Sequence, residues 1–178
     1  DRPVKVINPD GTTNEVKYTS TGLKWASIDA LSRTNSVQYD AAGRPVKTVS
    51  PYLTWEATHA STETGYDSNG NVKWVKDARG NVTTNVYDFR NRPVQTIAPL
   101  VWDAEHGITA RPVVSRLYDA VSNIVSVTDA RGKTVTNIYD RAGRLMVTRA
   151  PEVNVYGEAN PVRPVTTNIY DKGGNIIA

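Results

Sequence analysis

Cysteine is absent from these 178 residues, which excludes a disulfide scaffold and any thiolate metal site. Methionine and phenylalanine occur once each, and histidine only at His59 and His106. No apolar run approaches the roughly 20 residues that a membrane-spanning helix needs, and no secretory-leader pattern opens the chain. A surplus of one charge sign is also lacking: 21 basic residues interleave with 18 acidic ones, for a net +3. Nucleic-acid binders concentrate basic residues in a stripe or patch, so the even spread reads as a solvated surface with no nucleic-acid partner. The 39% of hydrophobic residues is enough for a modest core in one domain of ordinary size.

What is abundant is repetition. Tyr-Asp recurs at Tyr39-Asp40, Tyr66-Asp67, Tyr87-Asp88, Tyr118-Asp119, Tyr139-Asp140 and Tyr170-Asp171, and Tyr18-Thr19 keeps the tyrosine alone. Four residues after each tyrosine stands a turn-former: Gly22, Gly43, Gly70, Asn91, Ser122, Gly143 and Gly174. The tyrosines are spaced by 21, 27, 21, 31, 21 and 31 residues, so the working unit is a pair, 48 residues long at first and 52 later. Arg2-Pro3-Val4, Arg44-Pro45-Val46, Arg92-Pro93-Val94 and Arg144-Leu145-Met146 align, and each segment ends at a proline: Pro9, Pro51, Pro99 and Pro151. A second turn lies inside each pair, at Asp77-Ala78-Arg79-Gly80 and Asp129-Ala130-Arg131-Gly132, with Asp29-Ala30-Leu31-Ser32 in the equivalent place. Residues 1–178 are therefore expected to form one array of about three and a half double repeats. Both ends fall inside a unit, which points to an excerpt of a longer protein.

Aspartate first and glycine fourth is the preference of a type I turn, in which the carboxylate accepts backbone hydrogen bonds and glycine tolerates a positive φ. Turns every ten or eleven residues leave strands of six or seven. Asn81–Tyr87 places Val82, Thr84 and Val86 on one face and Thr83, Asn85 and Tyr87 on the other. No stretch has helical spacing with good helix formers, although Trp55–Ala60 could form a single turn of helix within a loop. The expected fold is all-β, an antiparallel meander of hairpins. Inserts near 52–65, 100–117 and 152–169 follow the register prolines and read as longer loops leaving one side of the array. Exposed end strands offer a route to self-association.

Tyr-Asp-x-x-Gly-[Arg/Asn], an apolar-polar strand, Asp-x-x-Gly and a return after 21 residues resemble the YD-repeat, or RHS-repeat, family. Tyr139-Asp140-Arg141-Ala142-Gly143-Arg144-Leu145 is close to its consensus, and the resemblance covers the chain apart from the inserts. It implies a ribbon of strands coiled into part of a spiral shell. In bacterial RHS proteins and toxin-complex components such a shell encloses a toxic C-terminal segment, and teneurins carry a similar barrel. The implied partners are the rest of the shell and its enclosed segment, and the implied location is secreted or at the bacterial cell surface. The family's self-cleaving core has an Asp-Pro-containing motif. No Asp-Pro occurs here, Asn8-Pro9 and Asn160-Pro161 being the nearest, so cleavage is not carried over.

Enzymatic readings find little support. The repeated carboxylates suggest a glycosidase pair, but a catalytic pair is unique and its two environments differ. His59 and His106 do not occupy matching places in their inserts. Asp67-Ser68-Asn69-Gly70-Asn71 lacks the distal glutamate of a calcium loop, and Asn81-Val82-Thr83 is a glycosylation triplet of a kind that arises by chance. No cofactor or metal is expected. Trp74 reads as strand packing, whereas Trp55 and Trp102, on inserts, are candidates for stacking on a glycan or a cell-surface partner.

Overall fold

The structure is a computed structural model that describes residues 2, 4–51, 59–104, 107–156 and 160–177. It is all-strand, as expected. The strands are β1 (Lys5–Ile7), β2 (Thr13–Tyr18), β3 (Lys24–Ile28), β4 (Thr34–Tyr39), β5 (Pro45–Val49), β6 (Ser61–Tyr66), β7 (Val72–Lys76) and β8 (Val82–Tyr87). They continue as β9 (Pro93–Ile97), β10 (Val101–Asp103), β11 (Ile108–Ala110), β12 (Val113–Tyr118), β13 (Ile124–Thr128), β14 (Thr134–Tyr139), β15 (Leu145–Arg149) and β16 (Val165–Thr167). Fourteen of them form an antiparallel sheet in chain order, while β10 and β11 pair only with each other. Among the described residues no helix is long and apolar enough to cross a membrane.

The chain divides inside β8 into two compact units, Asp1–Thr84 and Asn85–Ala178. Among the described residues, strands within each unit touch only their neighbours in the sheet, so the described part of the unit is one layer thick. The modest core expected from composition is therefore not found among the described residues. Among the described residues Ala26, 2% exposed, is the one fully buried hydrophobic side chain. A single layer gives each side chain cross-strand neighbours but nothing stacked above it, so apolar residues end half-covered.

Alternate connections of a meander leave at opposite ends of the strands. Within each unit, every turn that follows a tyrosine lies at one end, and the inserts and the Asp-Ala-Arg-Gly-type turns lie at the other. All three inserts join strands that are already paired up to the junction: Val49 pairs Ser61, Ile97 pairs Val113 and Arg149 pairs Val165. In the first pair a five-residue turn, Asn8–Thr12, does the same job, with Ile7 paired to Thr13. The second and third inserts are not plain loops. The second is a hairpin, β10–β11, with Trp102 opposite Thr109. The third is drawn together by a bridge between Val153 and Val162. Trp55 and the short helical turn expected around it lie outside the described residues, apart from His59 and Ala60.

Candidate functional site

Each tyrosine-aspartate turn is a five-residue structure. In the turn at Asp140, Gly143 N donates to Asp140 O at 3.0 Å and Asp140 N donates to Arg144 O at 2.9 Å. This is a type I turn closed by a glycine bulge, a connection suited to a hairpin. The same pair of bonds closes the turns that begin at Thr19, Asp40, Asp67, Asp88, Asp119 and Asp171, and those at Asn8, Asp29, Asp77 and Asp129. The fourth residue holds φ between 59° and 88° throughout, including the non-glycine Ser32, Asn91 and Ser122.

The aspartate carboxylate is used up inside its own turn. Asp140 Oδ1 accepts from Ala142 N and Arg144 N at 2.9 Å each, and Oδ2 accepts from Arg144 Nε at 2.7 Å. Asp40 and Asp88 bind Arg44 and Arg92 in the same way. Asp67, Asp119 and Asp171 instead accept from the side-chain amides of Asn71, Asn123 and Asn175. These bonds hold the carboxyls below the usual carboxylate range. The backbone N–H of Arg44 is the main cause at Asp40 and that of Arg144 at Asp140, while the side chain of Arg92 dominates at Asp88. Where the acid is missing, Thr19 Oγ1 takes its place and accepts from Leu23 N at 2.9 Å.

The tyrosine reaches back one unit. Tyr39 OH donates to Lys24 O, Tyr66 OH to Pro45 O, Tyr118 OH to Pro93 O, Tyr139 OH to Ile124 O and Tyr170 OH to Leu145 O, over 2.7–3.0 Å. Each acceptor is the first residue after the preceding turn. Every hydroxyl thus ties its own strand to the exit of the turn before it. Tyr87 occupies the same place in β8 and also has a partner.

Sequence reasoning missed the role of the fifth turn residue. Arg44 lies over the Tyr66 ring at 4.4 Å, and Arg92 and Arg144 lie over Tyr118 and Tyr170 at 4.6 Å. Arg2 stands 5.5 Å from the Tyr18 ring. The arginine appears where the strand it opens runs into an insert or the Asn8–Thr12 turn. Leu23, Asn71 and Asn123 occupy the position where that strand runs into a short turn. One guanidinium therefore pairs with its own aspartate and stacks on the tyrosine that returns after the insert. The aligned Arg-Pro-Val triplets were the signal in the sequence.

Among the described residues, the aspartate carboxylates of these turns are each bound within their own turn. One concavity, about 640 Å³, is an open groove over Leu23, Trp25, Val37 and Tyr39, with Asp40 as the carboxylate in its lining. Among the described residues no three His, Cys, Asp or Glu side chains converge. His59 Nδ1 lies 3.2 Å from Ser50 O in the first insert, and His106 is outside the described residues. Trp74 lies across Gly65 in the neighbouring strand, while Trp102 on the β10–β11 hairpin is 66% exposed.

A family model described as RHS Repeat matches residues 118–152, which contain two complete tyrosine-aspartate turns. No curated protein sequence matches the chain. Among solved structures, the crystal structure named TcdB2-TccC3-TEV aligns over 98% of this chain at 17% identity with a TM-score of 0.68. TcdB2-TccC3 without its hypervariable C-terminal region aligns over 98% at 16% identity with a TM-score of 0.69. The Photorhabdus luminescens Tc holotoxin pore, in a TccC3 mutant, aligns over 95% at 17% identity with a TM-score of 0.66. The chain spans about 9% of the length of each of these matched chains. Residues 118–152 thus match the RHS repeat, inside a chain that shares its fold with the part of the TcdB2-TccC3 structures it aligns with.

Proposed function

We propose that this chain is a length of wall in a β-shell that encloses a toxin or effector segment of a secreted bacterial protein, and that it has no catalytic role of its own. The observation that carries the reading is the near absence of buried hydrophobic side chains in a sheet one layer thick. Such a sheet serves as a surface rather than as a globule. A second feature agrees with it. The residue before the tyrosine is Lys17, Gln38 or Gly65 in the first unit but Val86, Leu117, Ile138 or Ile169 in the second. Strand alternation puts this residue on the face opposite the tyrosine, and all four aliphatics are exposed. An apolar row of this kind suits contact with an enclosed chain.

The test is protease protection in the longer protein that this reading requires. An enclosed C-terminal segment should survive trypsin in the wild type, and the Arg92→Ser/Tyr118→Phe variant should render it cleavable. Digestion at the same rate in both proteins would remove the proposal. One observation favours a second reading, in which an insert binds glycan: Trp102 stands exposed on its own hairpin. A glycan array probed with wild type and Trp102→Ala decides it, because hits that survive the substitution leave the hairpin no role.

A further inference from the structure

We infer that the turn end of the second unit is a docking rim for an acidic peptide segment that carries apolar side chains. Four tyrosine-aspartate turns line this end, beginning at Asp88, Asp119, Asp140 and Asp171. Their two outermost positions hold Phe89-Arg90, Ala120-Val121, Arg141-Ala142 and Lys172-Gly173. The corresponding turns of the first unit hold only Ser20-Thr21, Ala41-Ala42 and Ser68-Asn69, which are small and uncharged. Phe89 is 87% exposed and Val121 75% exposed, and both sit at turn tips where packing asks for neither.

Arg92 and Arg144 offset Asp88 and Asp140, and the remaining charges, Arg90, Arg141 and Lys172 against Asp119 and Asp171, leave this rim net positive. The carboxylates of Asp88, Asp119, Asp140 and Asp171 are bound within their own turns. Arg141 and Lys172 are exposed and make no ion pair among the described residues. Arg90 is pinned by a hydrogen bond from its Nη1 to Ala120 O, with its guanidinium 5.5 Å from the Phe89 ring.

The first two turns are also laced together. Arg92 Nη1 donates to Asp119 O at 3.0 Å and to Ser122 Oγ at 3.1 Å. These are the two tyrosine-aspartate turns that close on a non-glycine residue in the left-handed region, Asn91 at φ 59° and Ser122 at φ 76°. Phe89, Arg90 and Val121 are thus presented on a pre-organised support, which lowers the entropy lost on binding.

Geometry sets the ligand class. Strands are about 4.8 Å apart, so successive hairpin tips lie about 10 Å apart and four of them span about 30 Å, the reach of about nine extended residues. Three cations over that span, with Phe89 beside Arg90 at the first tip and Val121 between Arg90 and Arg141, match a peptide that carries both carboxylates and apolar side chains. A polynucleotide carries a phosphate about every 3.4 Å of each strand, and the rim is too sparsely charged and too poor in aromatic platforms to follow it.

The test uses the whole 178-residue protein and fluorescence anisotropy with three labelled probes: a ten-residue peptide of glutamate, glycine and two leucines, its lysine counterpart, and a ten-nucleotide oligothymidine. The glutamate peptide is expected to bind with a micromolar Kd that weakens as salt rises. Arg141→Glu/Lys172→Glu should weaken it at least tenfold and Phe89→Ser about fivefold. The charge-matched control Arg131→Glu/Lys133→Glu, at the opposite end of the strands, should leave it unchanged. Circular dichroism reports whether each variant keeps its fold. Absence of binding, equal losses in the two double variants, or oligothymidine binding as tightly as the peptide would each overturn the inference.

Discussion

Ser122 and Gly143 perform the same backbone task with different side chains. Both close a turn at a φ near 77°, but the serine pays for its Cβ in the left-handed region. Ser122→Gly should therefore stabilise the protein, by about 0.5–1 kcal/mol after the glycine's extra unfolded-state freedom is subtracted. Gly143→Val should do the reverse and cost about 2 kcal/mol, since a Cβ there meets nothing closer than Asn123 Oδ1 at 4.0 Å and the penalty is purely of the backbone. Urea midpoints at constant slope check both changes. Gly65 is constrained for another reason. A Cβ on it would stand 2.1 Å from Trp74 Nε1, so Gly65→Ala should push the indole off the sheet and shift tryptophan emission to the red.

At the scale of the turn and its strands, the tyrosine hydroxyl and the arginine act on one junction. Tyr118→Phe removes the bond to Pro93 O and should cost about 1 kcal/mol. Arg92→Ser should cost more than Arg144→Ser, because Arg92 also holds the next turn through Asp119 O and Ser122 Oγ. Arg92 and Tyr118 should couple in a double-mutant cycle, since the ring and the guanidinium are in contact. The turn carboxylates give the fold its acid sensitivity. Their native proton affinities lie below those of the unfolded chain, so their contribution is complete above an unfolded value of about 3.9 and fades as pH falls through the lower native values. The urea midpoint should be flat from neutral pH to about pH 5 and fall below about pH 4.

This scale is also where sequence and structure agree most closely, and the reason is range. Asp-x-x-Gly forms its bonds within five residues, so the turns and the strands between them can be read locally. The stacking of Arg44 on Tyr66 or Arg144 on Tyr170 crosses an insert, and only the aligned Arg-Pro-Val triplets hinted at it. Val101–Asp103 and Ile108–Ala110 are three-residue strands, too short to show a period, which is why their hairpin read as a loop. The expected core failed differently. A hydrophobic fraction measures how much could be buried, but not whether a second layer exists to bury it.

For the whole molecule, the described strands of each unit are held by nearest-neighbour ties, and among the described residues Ala26 is the one fully buried hydrophobic side chain. Inserts should then be exchangeable without harm to the sheet. Replacing residues 98–112 with the five residues Asn8–Thr12 keeps the pairing geometry, because Ile97–Val113 and Ile7–Thr13 are equivalent closing pairs. The shortened protein should keep its β spectrum and melt at the same temperature or higher, as loop closure becomes less costly. The most direct test of nearest-neighbour stability is native-state hydrogen exchange on wild type and Arg92→Ser/Tyr118→Phe. Faster exchange confined to the amides of β9, β12 and their flanking turns is the expected result. A uniform acceleration across the second unit, as in a domain that opens only all at once, would contradict it.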